Sequence, residues 1–245
     1  MSKMKAEIEK TFRELIKYGI DNPKNNYEAM SNASHFKHML ETLPKKSGIK
    51  CLELGFGRGV LALLLKNVLG YNVYGVEHPS RAFLKEKHFK NFIKKEKFEL
   101  RNTDMVKNKL DFDDDEFDVV TFSEVIEHLD PKDLELVFKE IRRVLKKDGL
   151  FMLTTINRRR LANIIEKKSK DTYNQYEETH GHIKEYTSGE LVSLLESHGL
   201  KVVKVRMSNF SYLNPVIDLV NNTICWFIPK LRNDSIVLAQ NFKKP

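Results

Sequence analysis

The sequence contains little cysteine and no long apolar run, and both shortages limit the classes of protein to which it can belong. Its two cysteines, Cys51 and Cys225, lack the spacing of a metal-binding or redox motif, so we expect both to be small apolar core residues in a reducing compartment. No run reaches the roughly 18 apolar residues that span a bilayer. Residues 1–7 lack the apolar centre of a signal peptide. These observations predict a cytoplasmic location.

The balance of residue types is that of a globular protein. Hydrophobic residues make up 41% and charged residues 31% of the 245 positions, which suits one α/β domain with a sizeable core and small additions. The net charge of +8 weakly favours an acidic partner, such as a nucleic acid, a phosphorylated metabolite or an anionic membrane surface. A solvated lysine-rich face is the simpler explanation of the same charge.

The first part of the chain has helical periodicity. Residues 5–18 place apolar side chains on one face, and a second helix is predicted at about 33–43, after a break at 22–26. We interpret residues 1–46 as an N-terminal helical cap and residues 47–245 as the main domain.

From residue 49 onward, the pattern alternates between strands and helices. This alternation predicts an α/β fold with a Rossmann-like, doubly wound and mostly parallel sheet of seven strands, covered by helices on both faces. A turn is predicted at 147–149, before the fifth strand. The predicted strands are 49–54, 72–77, 97–101, 117–123, 150–155, 201–207 and 235–240, and the predicted helices are 60–69, 80–93, 131–146 and 188–197.

An apolar segment at 212–229, inside an insertion at about 208–234, interrupts that alternation. It contains Trp226 and Phe227, but polar residues such as Asp218 break it up, so it does not fit a transmembrane helix. It could cover the core, line a substrate pocket or contact a membrane surface. Core packing is the commonest use of an apolar helix face and is the interpretation we favour.

Residues 53–59 read ELGFGRG and form the most informative motif of the chain. A short apolar run precedes them and an apolar helical run follows, which predicts a strand, a tight glycine turn and a helix. The free N–H groups at the start of such a helix mark a ligand site. Val60 occupies the position of the last glycine in the dinucleotide fingerprint Gly-x-Gly-x-x-Gly, which disfavours a nicotinamide dehydrogenase.

Several further blocks follow in the order found in one large family. Together with the glycine loop, they make residues 48–207 resemble the class I S-adenosylmethionine-dependent methyltransferases, most closely their small-molecule branch. The blocks are ELGFGRG at 53–59, VYGVE at 73–77, NTDM at 102–105, FDVVTFSEVIEHL at 117–129, EIRRVLKKDGL at 140–150 and HIKEYT at 182–187.

This resemblance implies that S-adenosylmethionine is the cofactor and that a nucleophile attacks its methyl group in line. The glycine loop would wrap the amino-acid end of the cofactor, with Glu53 near its ammonium group. Glu77 would bind the ribose hydroxyls, and Asp104 would accept the adenine amino group. No metal is expected. The expected cofactor-binding residues are Glu53, Gly55, Gly57, Gly59, Glu77, Asp104, Met105 and Ser123.

The acceptor side of the reaction is less defined. A general base is needed only if an oxygen or nitrogen must lose a proton, and His182 is the first candidate, followed by His128 and His180. Each of them could equally have a structural role. Two further features could shape the acceptor pocket. The first is the run of arginines Arg158, Arg159 and Arg160, which suit an acidic substrate group. The second is Tyr186.

Three functions therefore stay open at the level of sequence. The first is methyl transfer to an oxygen or nitrogen of a small acceptor, with acidic acceptors and acceptors linked to a lipid or sugar among the candidates. The second is methylation of RNA or protein, although no nucleic-acid module or Asn-Pro-Pro-Tyr motif is visible; Ser123 to Ile126 occupy that place. The third is a non-catalytic subunit that binds the cofactor. Peripheral membrane contact and the oligomeric state are also open.

Overall fold

The computed structural model describes residues 3–20, 33–165, 181–209 and 215–242, and these form one sheet with helices on both faces. The sheet has seven strands in the order β3-β2-β1-β4-β5-β7-β6. The pairs within β3-β2-β1-β4-β5 are parallel, and β7 runs antiparallel to both β5 and β6. The strands are β1 (Lys50–Leu54), β2 (Asn72–Glu77), β3 (Glu99–Asn102), β4 (Phe117–Ser123), β5 (Leu145–Ile156), β6 (Leu200–Ser208) and β7 (Asp234–Asn241).

The predicted Rossmann-like, doubly wound sheet is confirmed, and the predicted helices at 60–69 and 188–197 have the predicted bounds. Short 3-10 turns occur at 82–85, 126–128, 131–133 and 229–231. The described α-helices are α1 (Lys3–Lys17), α2 (Ala33–Thr42), α3 (Val60–Leu69), α4 (Lys87–Glu96), α5 (Leu134–Val144), α6 (Leu161–Ile165), α7 (Ser188–Ser197) and α8 (Pro215–Phe227).

Alternation along the central strands divides the core into two clusters. Cys51 of β1 belongs to one cluster with α1, α2, α3 and α4, whereas Leu52 and Leu54 belong to the other with α5 and α7. Successive side chains of a strand point to opposite faces, so each cluster fills one face of the sheet. Ile8 and Met39, from the first two helices, are fully buried in the first cluster, which ties the N-terminal helices to the main sheet.

Three predicted elements differ from the structure. The predicted helix at 131–146 is shorter, because residues 131–133 form a 3-10 turn and β5 already begins at Leu145. The predicted helix at 80–93 is divided, because Glu86 is extended, with φ −66° and ψ 132°, and α4 begins only at Lys87. The predicted turn at 147–149 lies inside β5. The pairing register between β4 and β5 shifts there, because Phe117 pairs with Leu145 whereas Val119 pairs with Leu150. The additional residues form an irregularity in the strand rather than a boundary between elements.

The prediction that the segment at 212–229 covers the core is wrong for most of α8. Trp226 and Phe227 are 71% and 72% exposed, while Asn221 and Cys225 are the buried side chains of this helix. None of the described helices is long and apolar enough to cross a membrane. The predicted cytoplasmic location remains a prediction.

Candidate active site

The carboxyl ends of β1, β2, β3 and β4 enclose a cleft of about 470 Å³, called the edge cleft below. Parallel strands of an open α/β sheet bind ligands at this edge. Most of the predicted site residues meet there, although they come from four separate stretches of sequence. The predicted residues that line the cleft are Gly55, Gly57, Glu77, Asp104, Met105, Ser123 and His128.

Gly55 and Gly57 form the floor of the edge cleft, and their backbones require glycine. Gly55 has φ +77°, and a Cβ there would lie 2.4 Å from Cγ2 of Val125. Gly57 has φ +54°, but a Cβ there would have no neighbour nearer than the Gly55 carbonyl oxygen at 4.0 Å. Since Gly57 lines the cleft, its open side is available for the close approach of a ligand.

Gly59 has a different role from the other two glycines of the loop. Its φ is +80°, and a Cβ would lie 2.8 Å from the rings of both Phe56 and Phe92. It immediately precedes α3 and does not line the edge cleft. Gly59 is therefore needed for close packing of the loop against the core.

Glu53 lies beneath the glycine loop and is only 3% exposed. The N–H of Ala62, at the start of α3, donates to its carboxylate, whereas its Oε2 has no hydrogen-bond partner among the described residues. Burial, reinforced by the nearby charge of Glu77, raises the pKa of Glu53 well above its usual range. A cationic ligand group would satisfy such a buried carboxyl, and the ammonium group of S-adenosylmethionine is such a group. Glu53 itself does not line the edge cleft but lies behind the glycines that do.

Glu77 ends β2 and holds the glycine loop. Its Oε2 accepts a hydrogen bond of 2.6 Å from the Gly57 N–H, and its Oε1 accepts one of 2.8 Å from the His78 N–H. The Nε of Arg81 lies 3.6 Å from Oε1. Both carboxylate oxygens are thus fixed at the wall of the edge cleft, as the binding of two vicinal hydroxyls requires.

Asp104 follows β3 and stays charged in a turn beside the edge cleft. Its Oδ1 accepts from the Val106 N–H at 3.1 Å, and Lys107 Nζ lies 3.2 Å from Oδ2. Partial burial opposes ionisation, but these contacts with Lys107 and Val106 outweigh it and hold the pKa of Asp104 below its usual range. Met105 lines the cleft beside it.

A chain of hydrogen bonds follows the end of β4. Thr154 Oγ1 donates to Glu124 Oε1 at 2.8 Å, so Ser123 Oγ is the donor in its 2.9 Å bond to Thr154. Glu124 has a positive φ of +53°, which is uncommon for a non-glycine residue. Burial, followed by the charge of Glu127, raises the pKa of Glu124 well above its usual range.

Beside this chain, Glu127, His128 and His182 form what we call the acid–histidine group. One potential ligand atom of each lies within 4.8 Å of those of the others. The two imidazole rings pack edge to face with their centroids 4.9 Å apart. The group is held together by the backbone, because the N–H groups of Ile183 and Lys184 donate to the Glu127 carbonyl oxygen at 2.6 and 3.1 Å.

Each member of the acid–histidine group is oriented by a neighbour. Thr155 Oγ1 donates to Glu127 Oε2 at 2.9 Å, and burial raises the pKa of Glu127 to about 7. His128 Nδ1 lies 2.9 Å from the Gly181 carbonyl oxygen, to which only a protonated Nδ1 can donate. That contact leaves Nε2 of His128 as the acceptor, and burial lowers the pKa of this histidine.

His182 lies behind His128 and is 8% exposed. Its Nδ1 is 3.5 Å from Glu185 Oε1, and the Asn163 amide donates to Glu185 Oε2 at 3.0 Å. His128 lines the edge cleft whereas His182 does not, so the structure favours His128 over His182 as the residue nearer to a ligand. His180 lies outside the described residues.

Sequence reasoning placed the backbone of Glu124 near the methionine end of the cofactor, but it gave no role to the Glu124 side chain and missed Glu127. Their signal is the spacing Glu-x-x-Glu-His at 124–128, followed much later by a histidine. In a 3-10 turn at 126–128, this spacing brings acid and histidine side chains toward one point. The sequence predicted no metal site, but carboxylate and imidazole groups held this close together can bind a divalent cation.

The three consecutive arginines are not equivalent. Arg158 donates to Glu190 Oε1 at 2.6 Å, and Arg160 lies 3.4 Å from Glu185 Oε1, so both are in internal ion pairs. Arg159 is exposed and lines a second cleft of about 860 Å³, which we call the basic cleft. Other residues that line the basic cleft are Asn157, Lys184, Tyr186 and Lys230.

The chain belongs to the Methyltransferase domain family, whose sequence profile matches residues 27–205. It is an S-adenosylmethionine-dependent methyltransferase, and S-adenosylmethionine is the methyl donor of this family. A S-adenosylmethionine-dependent methyltransferase from Archaeoglobus fulgidus has the same fold, with a TM-score of 0.59 and 21% identity over 87% of this chain and 99% of that one.

Two of the curated relatives are O-methyltransferases of ubiquinone biosynthesis. The chain is 26% identical to the ubiquinone biosynthesis O-methyltransferase of Pelagibacter ubique over 198 residues. These residues cover 80% of this chain and 79% of the relative. The mitochondrial ubiquinone biosynthesis O-methyltransferase of Bos taurus is 32% identical over 176 residues, which cover 65% of this chain and 43% of that relative. This chain therefore spans less than half of the bovine protein.

Proposed function

We propose that this methyltransferase acts on a hydroxyl oxygen of a small acceptor molecule. One observation supports this above all: the edge cleft, with its cofactor-type residues, also contains His128 of the acid–histidine group. An oxygen nucleophile must lose a proton on methylation, and the cleft thus combines a cofactor site with groups suited to that task. The similarity to O-methyltransferases of ubiquinone biosynthesis supports oxygen as the methylated atom.

The chain's own residues would bind and orient the reactants. S-adenosylmethionine supplies an activated methyl group, so alignment in a dry site is the main requirement. Glu53 would bind the ammonium group, Glu77 the ribose hydroxyls, and Asp104 with the Met105 backbone the adenine ring. His128, neutral because its pKa is lowered by burial, would present Nε2 to the edge cleft, as an acceptor for the proton or as a ligand of a cation.

We further propose that the acid–histidine group holds a divalent cation, with Glu124 contributing. Burial raises the pKa values of Glu124 and Glu127, and a bound cation would offset the cost of ionising both. The contact from His128 Nδ1 to a backbone carbonyl resembles the support that metal-binding histidines usually have. A cation there would supply Lewis acidity that favours loss of the acceptor proton.

Calorimetry with S-adenosylmethionine tests the cofactor site. The wild-type protein should bind, and Gly57→Ala should weaken binding by at least about tenfold, because its methyl group would point into the edge cleft. Gly48→Ala is a matched control: Gly48 has φ +79° and no heavy atom within 4 Å of an added Cβ, but it lies in the turn before β1. Absence of binding by the wild type would contradict the proposed function, and equal affinities of the two variants would contradict the cofactor placement.

Arg159 is the arginine that we expect to bind an acidic group of the acceptor. With the acceptor identified by labelled-methyl transfer to fractionated cell extract, Arg159→Ala should raise KM for an anionic acceptor by about tenfold, the loss of one charge-assisted hydrogen bond. Arg158→Ala, whose guanidinium already pairs with Glu190, should leave this KM unchanged. A KM that Arg159→Ala does not alter would rule out this role.

A further inference from the structure

Helix α8 exposes its large apolar side chains and buries a polar one, which is the reverse of the arrangement in an ordinary surface helix. It buries Asn221 and Cys225, which are 4% and 0% exposed. Large apolar side chains take the outward positions instead. The exposed apolar residues of α8 and the position after it are Val216, Ile217, Leu219, Val220, Trp226, Phe227 and Ile228.

Together with the exposed Thr223, most of these side chains occupy the side of α8 that lies opposite Asn221 and Cys225. Val216, Leu219 and Val220 lie three and four positions apart. Trp226 and Phe227 follow Leu219 and Val220 by seven positions each, which is close to two full turns, so these side chains share one side of the helix. The rings of Trp226 and Phe227 pack edge to face with centroids 4.7 Å apart. A contiguous apolar patch of this kind, called the α8 surface below, marks an interaction site.

The α8 surface suits contact with a bilayer but not insertion across one. The helix has 13 residues, which corresponds to about 20 Å of length, against a hydrocarbon core of about 30 Å. Trp and Phe on an exposed apolar helix face are typical of helices that lie in the membrane interface.

The charges beside the α8 surface indicate which lipids it would contact. Residues 215–229 contain one charged residue, Asp218, and the chain then continues with Lys230 and Arg232. Lys230 also lines the basic cleft together with Arg159 and Lys184. The whole chain has a net charge of +8. An apolar helix flanked by cations complements a bilayer that contains anionic lipids.

The chain that follows α8 is fixed at the edge of the sheet formed by the carboxyl ends of the parallel strands, where the edge cleft also lies. The side-chain amide of Asn157, which follows β5, donates to the carbonyl oxygens of Lys230 and Arg232 at 2.9 and 2.7 Å. Arg232 in turn donates to the Met207 carbonyl oxygen at 3.1 Å. The chain after α8 is thereby anchored beside the basic cleft, next to the side of the protein on which the acceptor would arrive.

We propose that the α8 surface docks on the surface of an anionic phospholipid membrane. Trp226, Phe227 and Ile228 enter the interface, and Lys230 contacts the lipid phosphates together with Lys184. The methyltransferase then works at a lipid surface from which an amphiphilic acceptor can enter. This docking does not depend on the identity of the methylated atom.

Trp226 is the single tryptophan of the chain, so its fluorescence reports on the α8 surface without any substitution. Addition of phosphatidylcholine vesicles that contain phosphatidylglycerol should shift the emission to the blue, and lipids brominated in the acyl chain should quench it. Vesicles of phosphatidylcholine alone should give a weaker shift, and added salt should reduce binding to the anionic vesicles. Emission that no vesicle changes would overturn the proposal.

Co-sedimentation with the same vesicles tests the residues involved. The double variant Trp226→Ser with Phe227→Ser should bind at least about tenfold more weakly, because two large apolar side chains no longer leave water. Leu136→Ser is the matched control, since Leu136 is an exposed apolar residue on α5, and should bind like the wild type. Equal binding of both variants would overturn the proposal. A blue shift of the Trp226 emission that occurs without lipid, on self-association of the protein or on binding of a protein partner, would overturn it as well.

Discussion

Replacing Glu77 with alanine should weaken S-adenosylmethionine binding by about a hundredfold. Hydrogen bonds to a charged group contribute about 1.5–3 kcal/mol each, and Glu77 presents both carboxylate oxygens at the edge cleft while it holds the Gly57 N–H at 2.6 Å. The variant loses the proposed ribose contacts and the brace of the glycine loop together. Isothermal titration calorimetry measures the change directly.

Glu77→Gln separates these two contributions. Glutamine keeps the volume and one acceptor oxygen, so it can still accept from Gly57, but it loses the charge and one acceptor. We expect an affinity between those of the wild type and the alanine variant, with little change in the melting temperature. If Glu77→Ala binds the cofactor as tightly as the wild type, Glu77 has only a structural role.

The meeting of Glu77, Asp104 and Ser123 at the edge cleft could be predicted because each of them lies at or just after the end of a different strand. Glu53, Glu77 and Asp104 can be located from local pattern alone, and a parallel sheet then brings the ends of neighbouring strands together. Gly59 shows the limit of this reasoning. It belongs to the same motif as Gly57, but contact with Phe56 and Phe92 determines its role, and the Phe92 ring comes from a distant part of the sequence.

The acid–histidine group could not be predicted in the same way. Glu127 and His182 meet because the N–H groups of residues 183 and 184 bond to the Glu127 carbonyl oxygen, a long-range contact that no local pattern encodes. The arginines illustrate the same point. Three adjacent guanidinium groups look alike in sequence, yet Glu190 and Glu185 pair with two of them and leave Arg159 at the basic cleft.

Periodicity also failed to orient α8. The pattern shows that apolar residues recur along the helix, but burial depends on what the helix packs against. Asn221 and Cys225 face the protein, so the apolar residues face outward. An apolar helix in an insertion can therefore be a contact surface as readily as a part of the core.

Replacing Glu127 with glutamine should lower kcat by at least about a hundredfold while the affinity for S-adenosylmethionine stays within a factor of about two. The substitution keeps the shape of a side chain that is 1% exposed but removes the charge that we expect to bind the cation. Removal of metal with EDTA should inactivate the wild type to a similar extent, and Mn²⁺ should restore its activity. The same addition should not restore Glu127→Gln.

Titration of Mn²⁺ followed by electron paramagnetic resonance links the loss of activity to the cation. The wild type should remove free Mn²⁺ from solution, and Glu127→Gln should bind it much more weakly. Glu135→Gln, at an exposed carboxylate on α5, should behave like the wild type in both assays. If the protein without metal is fully active, the acid–histidine group acts without a cation, and the proton must then pass to His128, whose Nε2 the Gly181 contact leaves as an acceptor.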